Sequence, residues 1–168
     1  MAATENQEAI IALQRAIDLE KKGQKFYNQA AKQSANRKGS ETFRSLAEDE
    51  VMHERVLTRQ LDRLTQGQGY AAVEGADQVL EPLPLRLFPA DDTAFRKAVR
   101  PEDSDLDALI FALQIENDSY SLYRSMAGST NDPTGKRFYE YLADFERGHF
   151  NLLMTNYEYL STTGHWSE

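Results

Sequence analysis

Two short stretches of this sequence pair residues that bind metals, at helical spacing. Glu50-Val51-Met52-His53 and Glu146-Arg147-Gly148-His149 each put a carboxylate three residues ahead of an imidazole. Residues three apart on an α-helix share a face, so each pair aims both groups at one point. The flanks are helix formers: Leu46, Ala47 and Leu57 around the first pair, Leu142, Ala143 and Leu153 around the second. The two glutamates lie 96 positions apart (146 − 50), and so do the two histidines (149 − 53). The same offset carries Leu13, Ala16, Glu20, Tyr27 and Ala31 onto Leu109, Ala112, Glu116, Tyr123 and Ala127. The chain reads as a tandem duplication of a two-helix unit.

The retained positions form stripes. From Leu13 to Ala31 the identities step by three, four, seven and four residues, which is one face of a 3.6-residue period. Leu46, Glu50, His53, Leu57 and Leu64 repeat as Leu142, Glu146, His149, Leu153 and Leu160 on a second stripe. Off the stripes the repeat has diverged, with Lys21 against Asn117, Lys22 against Asp118 and Arg55 against Asn151. The shared face is apolar except at Glu20, Tyr27, Glu50, His53 and their partners, so these polar groups point where a core should be. A carboxylate buried alone costs several kcal/mol, and such groups are paired or metal-bound. No Lys or Arg lies on the stripes. Two divalent cations would neutralise the four glutamates. One Glu-x-x-His alone would ordinarily be a solvated helix face; two in register on an apolar stripe are not.

Composition narrows the class. At 168 residues the chain is long enough for one domain with a substantial core. A net charge of −8 disfavours nucleic acid or an anionic membrane as partner. Without cysteine there can be no disulfide, thiolate zinc site or iron–sulfur centre. The start, Met1 to Asn6, is polar and lacks the basic and apolar runs of a secretory signal. A cytoplasmic, soluble protein is expected.

The elements that must position these residues follow from periodicity and punctuation. Helix A is expected over about 6–34 and helix B over about 40–65, with Asn36 to Ser40 as the turn and Ser40 as N-cap. Gln66-Gly67-Gln68-Gly69 closes helix B. A crossover over about 66–103 lacks sustained periodicity, apart from a short helix from Asp91 to Ala98. Helix C spans about 104–127, with Asp105 and Asp107 at its positive N-terminal dipole. Helix D spans about 132–161, opened by Asp132-Pro133. A short tail follows, with Trp166 as an anchor and His165 at the surface. Two short-loop hairpins joined by a long connection give an all-α, ferritin-like four-helix bundle in a single domain over 1–168. Glu48, Asp49, Glu140 and Asp144 read as solvated faces; Phe26, Tyr120, Phe145 and Phe150 read as packing.

One Glu on each of helices A and C, with a Glu-x-x-His on each of B and D, is the ligand set of di-metal carboxylate bundles. Over residues 8–162 the sequence resembles the rubrerythrin and erythrin branch of the ferritin-like superfamily, notably in EKKGQKFY (Glu20 to Tyr27) and LAEDEVMH (Leu46 to His53). The resemblance implies two metal ions per chain. Glu50 and Glu146 would bridge them, Glu20 and Glu116 would be terminal carboxylates, and His53 and His149 would each take one ion. It also implies that Tyr27 and Tyr123 hydrogen-bond the metal-binding carboxylates. Oxygen-rich donors with two imidazoles suit iron, or manganese, or a mixed Fe/Mn or Fe/Zn pair. Ser119 stands where the family usually carries a further glutamate three residues after the terminal ligand; its repeat counterpart is Gly23. With that carboxylate missing, slower turnover of peroxide is expected. No cysteine-bearing rubredoxin domain is present, which implies a separate electron donor of rubredoxin-like or flavoprotein type.

Three functions fit these readings. The first is a di-iron oxidoreductase that reduces hydrogen peroxide or dioxygen in oxidative-stress defence. The second is a ferritin-type ferroxidase that sequesters iron. The third is a scaffold bundle with a vestigial site. Family members are frequently dimers, so a homodimer is expected.

Overall fold

The computed structural model describes residues 2–73 and 104–167, with side chains from Asn6 onward. Four helices account for nearly all of them: α1 (Ala2–Gln33), α2 (Arg37–Thr65), α3 (Asp105–Ser129) and α4 (Pro133–Thr163). No strand occurs among the described residues. The helices form two hairpins, α1 with α2 and α3 with α4, which approach each other most closely along α1 and α3. This is the all-α, ferritin-like bundle expected from the duplication. The Asp91 to Ala98 segment and most of the crossover lie outside the described residues.

The N-terminal caps follow the repeat. Asp132 Oδ1 accepts from Thr134 N and Gly135 N at 2.8 and 2.9 Å, with Pro133 opening α4. Its counterpart 96 positions earlier, Asn36, caps α2 by accepting from Lys38 N and Gly39 N. Ser40, expected to be that cap, lies one turn inside α2, and its hydroxyl donates to Ala31 O of α1 at 2.6 Å. The asparagine amide reaches the free N–H groups of the first turn, which leaves Ser40 to tie the hairpin together. Gly39 is likewise helical rather than part of the turn. Ser104 caps α3 ahead of Asp105 and Asp107.

After α2 and α4 the chain turns back through positive-φ glycines, Gly67 and Gly69 in one case and Gly164 in the other. Each tail then plants an aromatic ring on a glycine in the opposite hairpin. Trp166 covers Gly39, where a Cβ would lie 2.5 Å from the indole, and meets Phe43 edge-on. Tyr70 covers Gly135, where a Cβ would lie 2.7 Å from the ring, and its hydroxyl meets that of Tyr139 at 2.7 Å. A buried carboxamide clamps each tail. Gln60 bonds both Ala71 N and Ala71 O, and Asn156 Oδ1 accepts from Ser167 Oγ. These are also repeat pairs: 39 with 135, 43 with 139, 60 with 156, 70 with 166.

Two apolar clusters fill the bundle. One holds Phe26, Tyr27, Phe43, Leu46, Leu109, Leu113, Leu153 and Trp166. The other holds Leu13, Ala16, Leu57, Leu64, Tyr123, Phe138, Tyr139 and Leu142. Both draw on all four helices, and each helix passes from one cluster to the other. At about 1.5–3 kcal/mol per large apolar side chain, these layers supply the main stabilisation. The stretch between them on every helix carries Glu20, then Glu50 and His53, then Glu116, then Glu146 and His149. No described helix is long and apolar enough to cross a membrane.

Candidate metal centre

The structure brings all six of these side chains into one buried layer. Glu20 is 1% exposed, Glu50 3%, His149 7%, and His53, Glu116 and Glu146 are fully enclosed. Their helical register does the positioning: each Glu-x-x-His turns both groups inward, and the single glutamates of α1 and α3 face them. Two overlapping groups of donor atoms result. Glu20, Glu50, His53 and Glu146 form one; Glu50, Glu116, Glu146 and His149 form the other, and within each the atoms lie within 4.8 Å of one another. Glu50 and Glu146 belong to both.

His53 Nδ1 lies 3.5, 3.4 and 3.2 Å from Glu20, Glu50 and Glu146. His149 Nδ1 lies 3.4 and 3.3 Å from Glu116 and Glu146. None of these approaches satisfies the atoms as hydrogen bonds. Glu20 Oε2, Glu116 Oε2, both Glu146 oxygens, both His53 nitrogens and His149 Nδ1 are buried without a hydrogen-bond partner. Buried polar atoms are almost always paired. A cluster of electron-pair donors, with one converging atom available from each residue, fits a pair of divalent cations in chemistry.

The other oxygens of Glu20 and Glu116 are held from the opposite hairpin. Tyr27 of α1 donates to Glu116 Oε1 of α3, and Tyr123 of α3 donates to Glu20 Oε1 of α1. Burial and the neighbouring carboxylates push both phenols well above their ordinary pKa, so they act as fixed donors. Burial, then the charge of Glu146, raises Glu50 well above the carboxylate range and brings Glu116 to about 8. Burial works to raise Glu146 too, but His53 and His149 hold it well below that range. Against the lowering effect of burial, the carboxylates raise both histidines.

Four more residues reach this layer. Gly23 packs on Glu50, with a Cβ position 3.5 Å from its carboxyl carbon, and Ser119 is 4% exposed. Asp49 Oδ2 lies 3.2 Å from His149 Nε2, and Phe145 stands edge-on to His53 with centroids 5.5 Å apart. By sequence alone Asp49 reads as part of a solvated face and Phe145 as packing. The signal that could have found them is the offset itself, since they exchange places in the duplication. His165 is exposed.

The rubrerythrin family model matches residues 12–157. The chain belongs to the rubrerythrin family. The match spans all six inward-facing carboxylates and imidazoles and both tyrosines. No curated protein and no solved structure gives a match. A rubrerythrin carries a di-iron carboxylate site, and the buried Glu/His layer fits one.

Proposed function

We propose that this rubrerythrin-family chain is a di-iron oxidoreductase that reduces hydrogen peroxide or dioxygen. The observation that carries the reading is the pair of overlapping donor groups sharing Glu50 and Glu146 at buried, otherwise unsatisfied atoms. A bound pair of ferrous ions would supply the two electrons that turn one hydrogen peroxide and two protons into two waters.

The chain's own part is to hold and shield. Glu50 and Glu146 would span both ions, with Glu20 and His53 completing one half and Glu116 and His149 the other. Tyr27 and Tyr123 keep the terminal carboxylates in one orientation, so that each presents its Oε2 to the site. The apolar layers on either side exclude bulk water, which strengthens the electrostatics within. Iron is the favoured metal; manganese, or a mixed Fe/Mn or Fe/Zn pair, suits the same donors. Electrons would come from a separate rubredoxin-like protein or flavoprotein, and we assign the protein to a cytoplasmic homodimer acting in oxidative-stress defence.

The test is anaerobic reconstitution with ferrous iron, followed by rapid-mixing measurement of its oxidation by peroxide and by dioxygen. Two irons per chain, oxidised by either agent within seconds, support the reading. Fewer than two tightly bound irons overturn it, and continued uptake far beyond two favours iron sequestration. Ser119→Glu should shift the balance towards peroxide.

A further inference from the structure

The duplication that builds the site is broken at one pair of positions beside the histidines. Asp49 corresponds to Phe145 (145 − 49 = 96). Asp49 reaches from α2 to α4, where its Oδ2 lies 3.2 Å from His149 Nε2. Phe145 reaches from α4 to α2 and sets its ring edge-on to His53, at 5.5 Å and 82°, and stands farther from His149 of its own helix, at 6.5 Å. Equivalent positions therefore meet equivalent histidines with opposite chemistry.

An ionised carboxylate can only accept, so in this contact Nε2 of His149 carries the hydrogen. The lone pair of Nδ1 is then turned towards Glu116 and Glu146, 3.4 and 3.3 Å away. A carboxylate behind a metal-binding histidine fixes its tautomer and ring orientation and makes it a better donor. His53 has no such support. Both its nitrogens lack a hydrogen-bond partner, and the phenyl ring beside it offers contact but no acceptor.

Resting on the di-metal reading above, we infer that the two halves of the site hold their ions with unequal affinity. The Glu116–His149 half, oriented by Asp49, fills first and binds more tightly; the Glu20–His53 half, walled by Phe145, fills second. Asp49 is a positioning residue and touches no metal. A site with unequal halves can take two different metals in a set order.

The experiment is a titration of the metal-free full-length chain with cobalt(II), followed by calorimetry and by the visible bands of the bound ion. The wild type should bind two ions in two resolved steps. His149→Ala should remove the tighter step and His53→Ala the weaker. Asp49→Phe, which makes the two halves alike, should weaken the tighter step by about 10–100-fold and shift the bands of the first ion. The Asp49 side chain is 43% exposed, so the fold should tolerate the change. Asp49→Asn, which keeps an acceptor oxygen without the charge, should fall between, and Phe145→Asp should tighten the weaker step. Two ions bound in one unresolved step leave the di-metal reading standing and overturn this inference alone. So does an Asp49→Phe variant with both affinities unchanged, or one weakened at the His53 half. Binding of no ion overturns both.

Discussion

The two hairpins close their ends with the same device made from different residues. Beyond α4, Trp166 is 5% exposed, meets Phe43 edge-on and donates its indole N–H to Asp105 at 2.8 Å. Beyond α2, the half-buried Tyr70 relies on a hydroxyl contact with Tyr139 and on the two hydrogen bonds from Gln60 to Ala71. At the centre of the bundle the metal-facing donors and the tyrosines that hold them do not differ: glutamate matches glutamate, histidine histidine, and tyrosine tyrosine. Closing an end requires only a ring of roughly the right size on a glycine, and several chemistries satisfy that. A buried donor atom facing a cation has no substitute of similar shape. Asp49 and Phe145 lie between these extremes, one shell out from the site, and there the halves have parted.

The comparison can be broken most sharply at the shared carboxylates. Glu50→Ala and Glu146→Ala should each lose both metal ions, whereas Glu20→Ala should lose one, as read by elemental analysis after anaerobic loading. A variant of either shared glutamate that keeps one ion at full occupancy would mean the halves do not share it. Next comes closure of the ends. Trp166→Ala should cost about 3–5 kcal/mol in urea unfolding, as expected for loss of a well-buried large ring. Tyr70→Ala should cost about 2 kcal/mol, since its ring is only half-buried. Equal costs would show that the tails are interchangeable after all.

Tyr27→Phe and Tyr123→Phe should each destabilise by about 1.5–3 kcal/mol, the range for hydrogen bonds to charged groups. Both tyrosines are fully enclosed, so the two values should agree; a clear difference would place the asymmetry inside the ligand layer. The clamps come last. Gln60→Ala should cost about 2 kcal/mol and Asn156→Ala about 1, because Gln60 alone satisfies two backbone groups of its tail. Thermal unfolding of the two variants side by side checks the order.

Much of this was legible in advance because it is local. The stripes from Leu13 to Ala31 and from Leu46 to Leu64 are read from a 3.6-residue period, and Asp132-Pro133 marks a helix start without reference to anything distant. The misreadings came where two local signals competed. Asn36 and Ser40 are both good caps, and Gly39 looked like a loop residue. Its role is to make room for Trp166, more than a hundred positions away in sequence. Asp49 beside Glu50 looked like one more charge on a wet face. That it reaches another helix depends on how α2 lies against α4.

Which side chains face inward follows from the order of residues alone, since helical periodicity depends only on residues a few positions apart. That order therefore determined the six inward donors, the apolar layers around them and the two-hairpin plan. Which groups meet across the bundle depends on how the helices pack. Tyr27 serves Glu116 rather than Glu20 on its own helix, and Tyr123 serves Glu20 rather than Glu116. Two turns of helix put a tyrosine too far along the axis from its own glutamate, while packing of α1 against α3 brings the other one within reach. The same packing puts Glu50 and Glu146 in both donor groups, and sets a carboxylate behind His149 but none behind His53, whose nearer neighbour is the Phe145 ring.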